Sequence, residues 1–292
     1  METSLSSTDR SMTEGRMGTT IMKRIISWRI IAIMVIMAST AGCGKEDFTL
    51  PVDFQLQFSM AEDPIMDGAV TIDYVHLHLK SIDIHGYREL GEDVFLTRRI
   101  NEDHRITIQT STPQDRMQFD IPQGVYNPLS FSFVFRPDEE ESSIVDDIES
   151  WLEDVEDEEE DLDDLQEDLG DIIEEYLDDL QPCMIIQGKY NHNQLVRKLV
   201  IVINDPLNFQ VISQNKNEEQ IVALDKDIVN RGRLYLDPSY WFSVITTEML
   251  KGAFSGHLDD EQYIFLNKYV NSQLYTTIFN RIEESTTLVI NE

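Results

Sequence analysis

Cysteine is almost missing from this chain: Cys43 and Cys183 are the two in 292 residues, too few for the disulfide framework of a small secreted scaffold. Basic residues are scarce as well. Twenty-three Lys and Arg stand against 55 Asp and Glu, a formal net charge of −32. Phosphate neutralisation needs a surplus of Lys and Arg on some face, so nucleic acid is not an expected partner. The chain also lacks a G-x-S-x-G elbow, a phosphate-cradling G-x-x-x-x-G-K-[ST] loop, an H-E-x-x-H pair and a glycine-rich dinucleotide fingerprint, and with them the enzyme classes those motifs announce. Carboxylate pairs are too abundant for any two to be nominated as acid and base, and the expectation is a non-enzyme, with a hydrolase as the remote reading. What is present in quantity is apolar matter. With 41% hydrophobic and 9% aromatic residues, the chain can bury a core that offsets its conformational entropy, unlike a disordered polyanion.

Near the N-terminus, Lys23, Arg24 and Arg29 precede and flank the apolar run Ile30 to Met37, which ends in Thr40-Ala41-Gly42-Cys43. The run falls short of the about 20 residues of a bilayer span, and small residues precede the cysteine as a cleavage site requires. This is an export signal. Residues 1–42 are read as an N-terminal extension plus signal peptide, with Met22 or Met17 as the start. The T-A-G-C run resembles the lipobox of bacterial lipoproteins, with Thr40 where Leu usually stands. The resemblance implies diacylglycerol on the Cys43 thiol, cleavage before it and acylation (palmitate) of the new amine. Several acyl chains at about 0.8 kcal/mol per buried CH₂ anchor far more firmly than one. Residues 43–50 become a lipidated tether, and Gly44-Lys45-Glu46-Asp47 resembles the tract that sends Bacteroidota lipoproteins to the outer face of the outer membrane. A plain flexible tether is the other reading of those four residues.

The charge is concentrated in one place. Between Asp138 and Leu180, 24 of 43 residues are Asp or Glu and none is Lys or Arg; after Cys43, the rest of the chain holds 28 acids against 18 bases. Ile144, Ile148, Trp151, Leu152, Val155, Leu162, Leu165, Leu169, Ile172, Ile173, Tyr176 and Leu180 recur at helical spacing. The stripe lapses over Glu156, Asp157, Glu158, Glu159, Glu160 and Asp161, six acids that would repel one another in a continuous helix. The spacing predicts an acidic helical hairpin over 137–182, with one long helix as the alternative. It serves as a solvated arm, as a docking surface for a cationic partner, or, through residues 156–161, as a weak Ca²⁺ or Mg²⁺ site without an EF-hand loop. No other cofactor is expected.

Around this insert the chain alternates with period two in short, Pro- and Gly-punctuated runs. The fold class expected is mainly β: an antiparallel β-sandwich from 51–136 plus 183–230, carrying the insert, and a small α+β portion over 231–292. The runs D-P-I-M-D-G-A-V-T-I-D, S-I-D-I-H-G, F-D-I-P-Q-G-V-Y-N-P-L-S-F-S-F and L-Y-L-D-P-S-Y-W-F, in that order, resemble an uncharacterised group of Bacteroidota lipoproteins. The resemblance implies an Ig-like or transthyretin-like sandwich on a lipid anchor, and no catalytic residues. His76 and His78 would share one strand face with Asp73 on the other, which favours paired or exposed histidines over a metal site. Cys183, beside the acidic insert, reads as a buried structural thiol rather than a nucleophile. Tyr240-Trp241-Phe242 reads as core, with an aromatic platform as the alternative. The functional expectation is a lipid-anchored cell-envelope binding or adhesion module of the outer membrane; the alternative is a divalent-cation-binding lipoprotein.

Overall fold

Val70 to Arg88 alternates apolar and polar residues almost throughout, and it forms a single strand of 19 residues, far beyond the usual five or six. Around it the chain is mainly β. The computed structural model describes residues 50–109, 116–137, 168–171, 182–193, 195–258 and 261–291, all within one compact unit, Thr49–Glu292. The strands are β1 (Pro51–Met60), β2 (Val70–Arg88), β3 (Val94–Gln109), β4 (Arg116–Pro122), β5 (Gly124–Phe135), β6 (Met184–His192), β7 (Leu195–Ile203), β8 (Leu207–Asn215), β9 (Val222–Leu224), β10 (Asn230–Leu236), β11 (Ser255–Leu258), β12 (Glu261–Leu266) and β13 (Thr287–Ile290). Helices α1 (Pro238–Trp241), α2 (Thr247–Lys251) and α3 (Ser272–Ile282), two short 3-10 turns and a helical stretch at 168–171 complete the described elements.

The strands join in one curled sheet of order β11-β12-β7-β6-β2-β5-β8-β13-β10-β1-β4, with β3 also on β2 and β9 on β5. The sheet is mixed. β1 runs parallel to β10, β12 to β7 and β13 to β8, while the other pairings are antiparallel. Alternation of side chains reports burial but not the direction of a neighbour, so these parallel pairs were not legible as such. The strands of 231–292 do not stand apart either, since β12 and β13 are laid directly against β7 and β8. The curl brings distant strands face to face: the rings of Phe54 and Phe131 lie 5.8 Å apart, and those of Phe58 and Phe133 6.0 Å. These β1–β5 contacts belong to a core to which α3 adds Leu274, Tyr275, Ile278 and Ile282. The N-cap of α3 is Asn271, in left-handed conformation.

β2 is bonded on both edges. β3 follows one edge from Tyr74 to Gly86. The other edge is shared end to end by β6, down to Leu77↔Met184, and β5, from Leu79↔Phe135. At the seam His78 donates its backbone N–H to the Cys183 carbonyl (3.0 Å) and accepts from the Arg136 N–H (3.2 Å). In an uninterrupted antiparallel ladder one residue opposite His78 would make both bonds. Here Arg136 supplies the donor and Cys183 the acceptor, so residues 137–182 leave and return at a single rung. Of the acidic segment only 168–171 are described. They are helical, with Leu169 fully buried and Asp168 and Asp171 exposed. Residues 156–161 and the remainder of the helical hairpin lie outside the described residues, as do the signal, Cys43 and most of the tether.

The divided rung makes a prediction about register. Joining Phe135 directly to Cys183 leaves one residue opposite His78, whereas joining Arg136 to Cys183 leaves two. The first fusion should melt several degrees above the second, a gap equivalent to about 1 kcal/mol, measured by differential scanning calorimetry of both deletions.

Candidate functional site

The first half of β2 would present alternate side chains to the two faces of the sheet, but its register slips by one residue against β6: Ile72 pairs with Gly188 and Tyr74 with Gln187. The extra residue is Asp73. This bulge overturns the parity argument that set Asp73 opposite the histidines, for Asp73 and Tyr74 now line the same groove. The bulge also thrusts the Thr71 carbonyl at Gly188, where an added Cβ would overlap it. Glycine is required there by space, not by backbone angle.

The groove, about 580 Å³, runs across five strands and is lined by Gln109 of β3, Asp73 and Tyr74 of β2, Gln187 and Lys189 of β6, Lys198 and Val200 of β7, and Tyr263 of β12. Its floor is ladder, not loop. Gln109, Tyr74, Gln187 and Val200 are successive cross-strand partners, and so are Lys189, Lys198 and Tyr263. Two ammonium groups directly opposite each other repel, and each is answered by a carboxylate. Lys189 Nζ lies 3.6 Å from Asp73. Lys198 pairs with Glu261 and donates to the Tyr263 hydroxyl at 3.3 Å, with its ammonium 5.3 Å from that ring's centroid. Hydrogen bonding to Glu261 raises the Lys198 pKa, and the Lys198 bond lowers that of Glu261. The groove is therefore charged in detail and neutral in sum.

His76 supports the groove from one side. Its ring stacks parallel on Tyr74 (6.1 Å between centroids) and its Nδ1 shares a 3.0 Å hydrogen bond with Thr107 Oγ1. Burial, with the Arg105 guanidinium adding to it, pushes its pKa down to about 4. His78, further along, is buried. The two histidines thus stand in different surroundings, and among the described residues no three His, Cys, Asp or Glu side chains gather as a metal site would need. Cys183 is fully buried. Trp241 and Phe242 are core residues, with the Trp241 indole donating to Ser285 Oγ at 2.6 Å, so that run presents no exposed platform. The Tyr240 ring is capped by the Arg281 guanidinium at 4.0 Å. Sequence reading singled out only Asp73 among the groove residues. Gln109, Gln187, Lys198 and Tyr263 lie on strands remote in sequence, and no local pattern marks them.

No family model, no curated protein and no solved structure matches this chain. Among the described residues no helix is long and apolar enough to cross a membrane.

Two measurements test this geometry. Gly188→Ala should destabilise the protein by about 1–3 kcal/mol, as overpacking does when backbone must move, read from urea unfolding. Because the folded-state pKa of His76 lies below its ordinary value, the unfolded chain takes up the proton first. Stability should fall as pH drops from about 6.5 to about 4, and His76→Gln should flatten that part of a melting-temperature profile.

Proposed function

We propose that this protein is a lipid-anchored envelope lipoprotein that acts as a non-enzymatic binding or adhesion module, held to the outer membrane through Cys43. The observation that carries the reading is the groove: side chains from five paired strands set around an open floor, the kind of rigid support from which binding constellations are presented. Its volume of about 580 Å³ falls within the range of about 300–1,000 Å³ that ligand sites occupy. The basic, apolar, small-residue order ending at Cys43 supports the anchor, and the eight residues from there to Pro51 reach at most about 28 Å, which keeps the body close to the bilayer.

In this reading the curled sheet works as a sandwich of two facing layers, of the kind the Bacteroidota lipoprotein resemblance implies. The Phe54–Phe131 and Phe58–Phe133 contacts support it. So does the Tyr126 hydroxyl, which donates back to the Pro122 carbonyl as in the tyrosine corners of such folds. The acidic segment is an arm that attracts a cationic partner at long range, with loose Ca²⁺ or Mg²⁺ binding at residues 156–161 as the second reading.

Cys43→Ala should abolish palmitate labelling and move the protein from the membrane to the soluble fraction, and externally added protease should remove the wild-type protein from intact cells. Wild-type protein found soluble with a free Cys43 thiol would overturn the anchor. Calorimetry at millimolar Ca²⁺ decides the cation reading: no heat and no rise in melting temperature removes it.

A further inference from the structure

We propose that the groove takes a neutral oligosaccharide. The inference rests on the binding-module reading and names the ligand of that same groove.

Its middle row is Gln109, Tyr74 and Gln187, paired across β3, β2 and β6. With neighbouring strands about 4.8 Å apart, two carboxamides flank one phenol over about 10 Å. A carboxamide donates and accepts at once, which matches sugar hydroxyls that do the same. The Tyr74 ring, on a residue 40% exposed, offers an apolar surface to the C–H face of a pyranose, at little entropic cost because it has few rotatable bonds. Its own orientation is fixed from behind by the parallel His76 ring, which Thr107 holds in turn. One row over, Asp73–Lys189 and Lys198–Glu261 bring further donors and acceptors whose charges already cancel.

That cancellation selects against ions. A site for an anionic ligand would leave the lysines unanswered, and one for a cation would leave the carboxylates so. The chain's net charge of −32 also repels polyanions at a distance. What suits the groove is a ligand rich in hydroxyls, with apolar ring faces and no net charge.

The test is affinity electrophoresis of the full chain in gels containing mixed-linkage β-glucan, galactomannan or amylopectin, with heparin as the polyanionic comparator. The expected result is retardation by at least one neutral polysaccharide, changed by less than about twofold between low and high salt because no net charge is neutralised. Tyr74→Ala and Gln187→Ala should each weaken it about tenfold or more while leaving the melting temperature in place; if one variant fails to fold, the other decides. No retardation in any neutral gel, retardation indifferent to both substitutions, or binding to heparin alone would overturn the proposal. A protein acylated at Cys43 and displayed on cells, yet not retarded, removes the saccharide and leaves the anchored module standing.

Discussion

Among the described residues, both flanks of the sheet grow outward from one strand, β2, bonded on its two edges. Nineteen residues at about 3.3 Å each would extend roughly 60 Å, while a compact body of this size is only about 45 Å across. β2 cannot lie flat in one layer. Three register slips, after Ile72, after Leu79 and after Gly86, bend it, and bulges of this kind raise twist and re-aim side chains. Its buried residues, Val75, Leu77, Leu79, Ile82 and Ile84, could not stay buried with unpaired peptide groups, since each orphaned group costs about 1–3 kcal/mol. β3 fills one edge; the other is filled by β6 and then β5, with the acidic segment emerging where they meet. The curl, the core contacts between β1 and β5 and the floor of the groove all follow from keeping that strand bonded while it bends.

The groove inherits its character from the same slip. Asp73 is the residue that the bulge adds, and it is the carboxylate that answers Lys189. Without it Lys189 and Lys198 would face each other with only Glu261 between two charges. A backbone irregularity thus settles an electrostatic problem, and Gly188 permits it by leaving room for the displaced Thr71 carbonyl.

Much of the β-structure could be read directly: β1, β4 and the interior parts of β2, β5 and β6 alternate cleanly. β3 was legible only from Ile106 on, because Arg98, Arg99, Glu102 and Asp103 mask the alternation of an edge strand. Face assignments failed where the bulge at Asp73 shifted parity by one, which no composition announces. Parallel neighbours were invisible because both directions bury the same side chains. The groove was hidden for a simpler reason: its row runs perpendicular to the chain, joining residues 74, 109, 187 and 200, and a linear pattern contains no trace of that direction.

The position of β13 has a consequence in time. It is the link that joins β10, β1 and β4 to the rest of the sheet, through β10 on one side and β8 on the other. Residues 287–290 follow every other described strand, so as the chain emerges N-terminus first, β1 must wait for a clasp more than 200 positions behind it. Closure of such distant segments is slow, and until it happens β10, β1 and β4 are not joined to the β8 side of the sheet. A chain of this design closes its sheet only after β13 has emerged, and a nick just ahead of β13 would open the sheet at one seam rather than unravel it from an end.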